Sequence, residues 1–148
     1  LQRHEEAFAA FDRATQLDPD DSTAWLNRGM ALEALERYDD AVGSYDQVLR
    51  VNPDSYKALD KKGAALVELG RDREAIACFD RALKLKPDLA SAHYNKAVCY
   101  ALQDKSELAL GSLQQAIGLN PKYRAEAKAD DSFEALWNDE WFREIAGE

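Results

Sequence analysis

The side chains best able to do chemistry are few and poorly spaced for it. His4 and His93 stand too far apart for the ligand spacing of a zinc motif or the partnership of a catalytic triad, so no general base is set beside a nucleophile. Cys78 and Cys99 are the only thiols, too few for a disulfide framework or a zinc site, and read as two reduced cysteines. Asp18, Asp20 and Ser22 begin like a calcium loop. That loop needs Gly at its sixth place and Glu at its twelfth, where Thr23 and Gly29 stand, so helix capping accounts for them better. Glycines occur singly, with no phosphate-cradling run. No catalytic residue, metal ligand or cofactor is expected. What remains is charge: Lys57 and Lys61, four residues apart, face one way on a helix, where a solvated basic face competes with an anion-binding role.

With 148 residues, 46% hydrophobic and 32% charged, the chain has the composition of one folded domain or a short repeat array. Nineteen basic against twenty-eight acidic residues leave a net charge of -9, the wrong sign for nucleic acid or an anionic membrane surface. No apolar run approaches the roughly 18 residues of a membrane span, and no secretory signal opens the chain, so a cytoplasmic protein is expected. It starts at Leu1 without methionine, which reads as a piece of something longer. Only residues 56–89 are net positive, with eight basic against six acidic side chains, and Lys57 and Lys61 belong to that segment.

The elements that must carry these residues are set by periodicity. Pro19, Pro53, Pro87 and Pro121 recur at intervals of 34 residues. Each closes a segment with a small residue, then an aromatic or Leu four later, then an apolar stop, as in AVGSYDQVLRVNP and AIACFDRALKLKP. A second helical stretch lies upstream, as in TAWLNRGMALEAL and KALDKKGAALVEL, so each unit is two helices. Counting from Ser22, Tyr56 and Ala90 as first residues, the eighth offset holds Gly29, Gly63 and Ala97, and the twentieth holds Ala41, Ala75 and Ala109. Small residues at two facing points let the helices cross closely. Trp25, Leu59 and His93 at the fourth offset, with Tyr45, Phe79 and Leu113 at the twenty-fourth, fill the space around the crossing. Proline cannot continue a helix and pushes the residue before it toward extended geometry, so each one ends a second helix. Helices are expected near 4–18, 22–35, 38–50, 56–69, 72–84, 90–103 and 106–118, with short ones beyond.

Trp25, Gly29 and Leu32, then Ala41, Tyr45 and Pro53 on a 34-residue ruler, resemble the tetratricopeptide repeat in its prokaryotic form. The resemblance runs from Leu1 to about Tyr123. It implies an all-α, right-handed superhelical solenoid of antiparallel helix pairs: residues 1–21 as the second helix of a truncated repeat, repeats at 22–55, 56–89 and 90–123, and capping helices at 124–148. The chain departs from the pattern at the seventh offset, where Arg28, Lys62 and Lys96 replace the usual Leu and can snorkel, and at Ala97, which stands for Gly. In the tail, Asp130 and Asp139 each precede apolar residues three apart: Phe133 and Leu136, then Phe142 and Ile145. Such helices are expected to fold back on the last pair and bury those four side chains, because an uncapped solenoid exposes its core.

In the resembled family a groove lined by the first helices takes peptides or partner helices. The corresponding residues here are Thr23, Leu26, Asn27, Met30 and Ala34; Lys57, Asp60, Lys61, Ala64 and Glu68; and Ser91, Tyr94, Asn95, Val98 and Leu102. Asn27, Lys57 and Lys61 also match the last three places of the carboxylate-holding pattern in chaperone-docking members, whose first two places fall on a helix absent before Leu1. The expected function is a non-catalytic scaffold that binds a peptide or partner protein in that groove, not nucleic acid and not a membrane. One alternative is a self-assembling module that stacks into homo-oligomers through its open N-terminal end. Another is the substrate-selecting array of an enzyme whose catalytic domain lies outside this chain.

Overall fold

The computed structural model describes residues 1–147, and its elements are helical. The chain divides into two compact units, Leu1–Leu85 and the part from Lys86 onward. The first holds α1 (Gln2–Leu17), α2 (Ser22–Ala34), α3 (Tyr38–Val51), α4 (Tyr56–Glu68) and α5 (Asp72–Leu85). The second holds α6 (Ala90–Leu102), α7 (Ser106–Leu119), α8 (Tyr123–Ala129), a 3₁₀ turn (Asp131–Leu136) and α9 (Glu140–Ala146). The expected helices fall within about two residues of these bounds. Among the described residues no helix is long and apolar enough to cross a membrane, and no group of three or more His, Cys, Asp or Glu side chains is placed to hold a metal ion.

Local chemistry explains where the helices stop and start. Asp18, Asn52 and Asn120, each just before a proline, accept hydrogen bonds from the backbone N–H groups of Asp20, Asp54 and Lys122 at 3.1, 3.3 and 3.1 Å. These turns close α1, α3 and α7. The next helix is then capped: Asp21 accepts from the Ala24 N–H at 3.1 Å and Ser55 from the Ala58 N–H at 3.2 Å. Within each pair the turn is left-handed, at Glu36 (φ 57°), Gly70 (φ 73°) and Asp104 (φ 59°). The following N–H groups of Arg37, Arg71 and Lys105 reach back to the carbonyls of Leu32, Leu66 and Tyr100 at 2.8 to 2.9 Å, which satisfies carbonyls the helix end leaves open.

The close crossing is real and specific. A Cβ on Gly29 would stand 2.5 Å from Tyr45 Cε1, and one on Gly63 2.5 Å from Phe79 Cε1, far inside any tolerated contact. The third pair carries Ala97 and Leu113 at those two places, both fully buried, so a larger residue on one helix goes with a smaller one on the other. In the first unit Leu32, Ala41 and Tyr45 form a buried cluster against which Phe8 and Leu26 pack.

The tail folds onto the last helix pair, the 3₁₀ turn against α6 and both α8 and α9 against α7. Phe133, Leu136 and Phe142 are buried as expected, whereas Ile145 is only half-buried. Asp130 and Asp139 serve as the two acidic caps, accepting from the N–H groups of Ser132 at 2.9 Å and Trp141 at 2.9 Å.

Candidate functional site

Two side chains singled out by type have structural work. His93 Nε2 lies 3.0 Å from the Pro87 carbonyl, and Trp25 Nε1 donates to the Pro19 carbonyl at 2.8 Å, so the fourth offset pins the helix to the proline turn before it. Cys78 and Cys99 are free and buried. Burial pushes the Cys78 thiol up, against the pull of Lys62 and Arg81, which makes it a poor nucleophile.

The basic residues at the seventh offset are clasps. Arg28 on α2 reaches Asp12 on α1 (Nε to Oδ1, 2.9 Å) and donates through Nη1 to Ser44 Oγ on α3 at 2.6 Å. Its guanidinium also lies 5.0 Å from the Phe8 ring centroid and 5.5 Å from that of Trp25. Lys62 on α4 repeats the contact with Asp46 on α3 at 2.7 Å. A signal was available: Asp12, Asp46 and Asp80 recur at the same 34-residue interval as Arg28, Lys62 and Lys96.

The residues expected to line a groove divide by unit. On α2, Thr23 and Met30 are exposed, while Leu26 and Asn27 are half-buried; on α4, Lys57 is exposed, and Asp60 and Lys61 are half-buried. Among the described residues no ion pair within 4 Å engages Lys57 or Lys61. The last turns of α2 and α4, with Tyr38 at the start of α3, border an open cavity of about 410 Å³. It brings Met30 and Ala34 together with Ala64 and Glu68, all at groove offsets, and adds Glu33 and Tyr38, which lie at none.

Glu33 is the perturbed group of this region. Burial raises its carboxyl above the usual range; the Tyr45 hydroxyl and Lys61 oppose the rise, and Asp60 and Glu68 add to it. Its Oε1 and the Tyr45 hydroxyl are both shut off from solvent, and the Tyr45 phenol is raised by burial first and by the Glu33 charge second. Tyr38 is raised by desolvation and then by Glu68, Glu36 and Glu33. Lys61 thus lies within electrostatic reach of a negative cavity while Lys57 extends from the same helix face one turn earlier.

In the second unit Ser91 and Asn95 are half-buried, and Tyr94 and Val98 are buried. Tyr94 is covered by the tail. Its ring stacks on Tyr123 (centroids 4.7 Å apart), meets Phe133 edge-on at 5.7 Å, and its hydroxyl donates to Asp130 Oδ2 at 2.8 Å. A ligand on this face of α6 meets the tail rather than the Tyr94 ring.

The sequence pattern of the tetratricopeptide repeat matches residues 1–56, 26–90 and 61–124. No curated protein matches the chain significantly. Among solved structures, a crystal structure of MamA superposes with a TM-score of 0.82 at 20% identity, covering 97% of this chain and 82% of that one. MamA from residue 41 to its end, from Desulfovibrio magneticus RS-1, gives 0.77 at 25% identity over 96% and 83%. YrrB, described as a tetratricopeptide repeat protein with an unusual peptide-binding site, gives 0.73 at 23% identity over 97% and 75%. The fold is an all-α solenoid, of a kind that generally serves as a non-catalytic protein–protein interaction scaffold.

Proposed function

The chain belongs to the tetratricopeptide repeat family, and from that premise we propose that it binds a peptide or partner protein along the first helices of its repeats, α2 and α4 foremost, without catalysis. In this reading residues 22–55, 56–89 and 90–123 are the complete repeats, 1–21 the second helix of another, and 124–148 the cap. The chain works in the cytoplasm, where thiols such as Cys78 and Cys99 stay reduced.

The observation that carries the reading is the pair Lys57 and Lys61. They lie one turn apart on an accessible face of α4, in the only net-positive segment of an acidic chain, and no acidic side chain within 4 Å neutralises them among the described residues. Two ammonium groups held this way, with the Asn27 amide on α2 as a third donor, suit a carboxylate of an acidic or C-terminal peptide segment. Lysine offers point charges rather than a bidentate fork, so affinity rests on charge and falls with salt. Titrating peptides with acidic C-termini against the intact chain and a Lys57→Ala, Lys61→Ala double variant tests this. Salt-sensitive binding lost in the variant supports the site; equal affinity in both removes it.

Self-assembly through α1 is the second reading, and Leu17, 79% exposed, is the observation that favours it. Against it, Phe8 is flanked by the guanidinium groups of Arg28 and Arg37, each 5.0 Å from its ring centroid, which leaves little apolar surface there. Light scattering with and without residues 1–19 separates the two. The third reading, a substrate-selecting array, requires catalysis outside these residues.

A further inference from the structure

The groove between α2 and α4 has opposite charge at its two ends. Lys57, Lys61, Ala64 and Glu68 follow one another at intervals of four, three and four residues, which places them in one stripe along α4. At about 1.5 Å per residue the stripe from Lys57 to Glu68 is roughly 16 Å long. Its first half is basic. Its last turn borders the 410 Å³ cavity, whose apolar lining is Met30, Ala34, Ala64 and Ala65 and whose polar lining is Glu33, Glu68 and the Tyr38 ring.

Three independent features of that cavity favour a cation with a hydrocarbon stem. The C-terminal turns of both α2 and α4 border it, and the carbonyl ends of helices attract positive charge. The cavity lining carries two carboxylates, Glu33 and Glu68, and among the described residues no basic side chain, so it offers a positive group partners of opposite sign. Tyr38 offers an aromatic face and Met30 an adaptable thioether against which methylenes pack.

We propose that this cavity is a slot for a lysine or arginine side chain of the bound peptide, whose acidic group lies at Lys57 and Lys61 about five extended residues away. The slot rests on the peptide-binding reading above and narrows it to ligands carrying both charges in that spacing. An acidic peptide alone fills half the groove; a basic peptide alone meets Lys57 and Lys61 with the wrong sign.

The test uses the full chain and three peptides ending in a free glutamate: one with lysine five residues earlier, one with norleucine there, and one with the lysine moved next to the glutamate. Binding is measured by calorimetry to wild type, to Glu33→Gln, Glu68→Gln and to Lys57→Ala, Lys61→Ala, with thermal melts confirming that each variant folds. The expected result is a loss of about tenfold on replacing the distant lysine by norleucine or moving it, and no such loss in Glu33→Gln, Glu68→Gln. Equal affinity of the three peptides for wild type, with binding still dependent on Lys57 and Lys61, overturns the slot and leaves the anion site standing. Lysine-dependent binding that survives Lys57→Ala, Lys61→Ala but not Glu33→Gln, Glu68→Gln supports the slot and removes the anion site. No binding of any peptide overturns both.

Discussion

Arg28 Nε stands 2.9 Å from Asp12 Oδ1, so a residue on α2 grips the helix before it at a place where the repeat family commonly packs a leucine. The same guanidinium donates to Ser44, which is fully buried on the helix after it. One side chain therefore ties three successive helices, and Lys62 ties α4 to α3 through Asp46 in the same way. An apolar seam would hold neighbouring helices as firmly. The polar one adds register, because a charge pair is satisfied in one alignment only.

A double-mutant cycle on Asp12→Asn and Arg28→Met measures this clasp. The pair is partly solvated, with side-chain exposures of 35% and 21%, so its coupling energy is expected at about 1 kcal/mol or less and should shrink with added salt. Arg28→Ala should cost more, about 1–3 kcal/mol, because the buried Ser44 hydroxyl loses its donor and the Phe8 and Trp25 rings lose their cover. Urea unfolding at two ionic strengths reports both, and zero coupling at low salt would show the clasp to be incidental.

Gly63→Ala should destabilise by about 1–3 kcal/mol, since its Cβ would fall 2.5 Å from Phe79 Cε1. Adding Phe79→Leu imports the pairing that Ala97 and Leu113 show in the third repeat. The double variant should therefore unfold at higher denaturant than additivity of the two single variants requires. Strict additivity would mean that Phe79 does not set the distance between α4 and α5.

Tyr94→Phe keeps the stacks on Tyr123 and Phe133 and removes only the hydrogen bond to Asp130, at an expected cost of about 1–2 kcal/mol. Removing residues 124–148 is far more severe. Phe133, Leu136 and Phe142 are buried, each worth roughly 1.5–3 kcal/mol of apolar burial, so the melting temperature should drop by several degrees or more. An unchanged melt after truncation would reduce the tail to an appendage.

Glu33 couples stability to pH with a definite sign. Its folded-state pKa is raised above the ordinary 4.5, so the native chain binds more protons than the unfolded one between 4.5 and the raised value. The contribution of Glu33 is therefore greatest below 4.5 and is lost as pH rises through the folded pKa. Glu33→Gln should gain stability relative to wild type on going from pH 4 to pH 8, as read from urea midpoints. A pH-independent difference would place the carboxyl in water.

The helix pairs, their bounds and their close crossings were legible in the chain because they depend on local and periodic properties. Proline ends a helix wherever it stands, and glycine opposite Tyr45 or Phe79 permits an approach that any side chain blocks. The fate of Tyr94 was not legible. At its offset it is equivalent to Leu26 and Asp60 and reads as groove lining, yet Tyr123, Asp130 and Phe133 cover it. Those three belong to a segment outside the repeat, and no period of the array states where such a segment lands. Glu33 shows the same limit: Val67 and Ala101 stand at its position in the next repeats, so nothing recurs to mark it. Its raised pKa comes from desolvation, with Asp60 and Glu68 adding to it against the opposing pull of Tyr45 and Lys61, groups on two other helices, and so exists only once α2, α3 and α4 are packed.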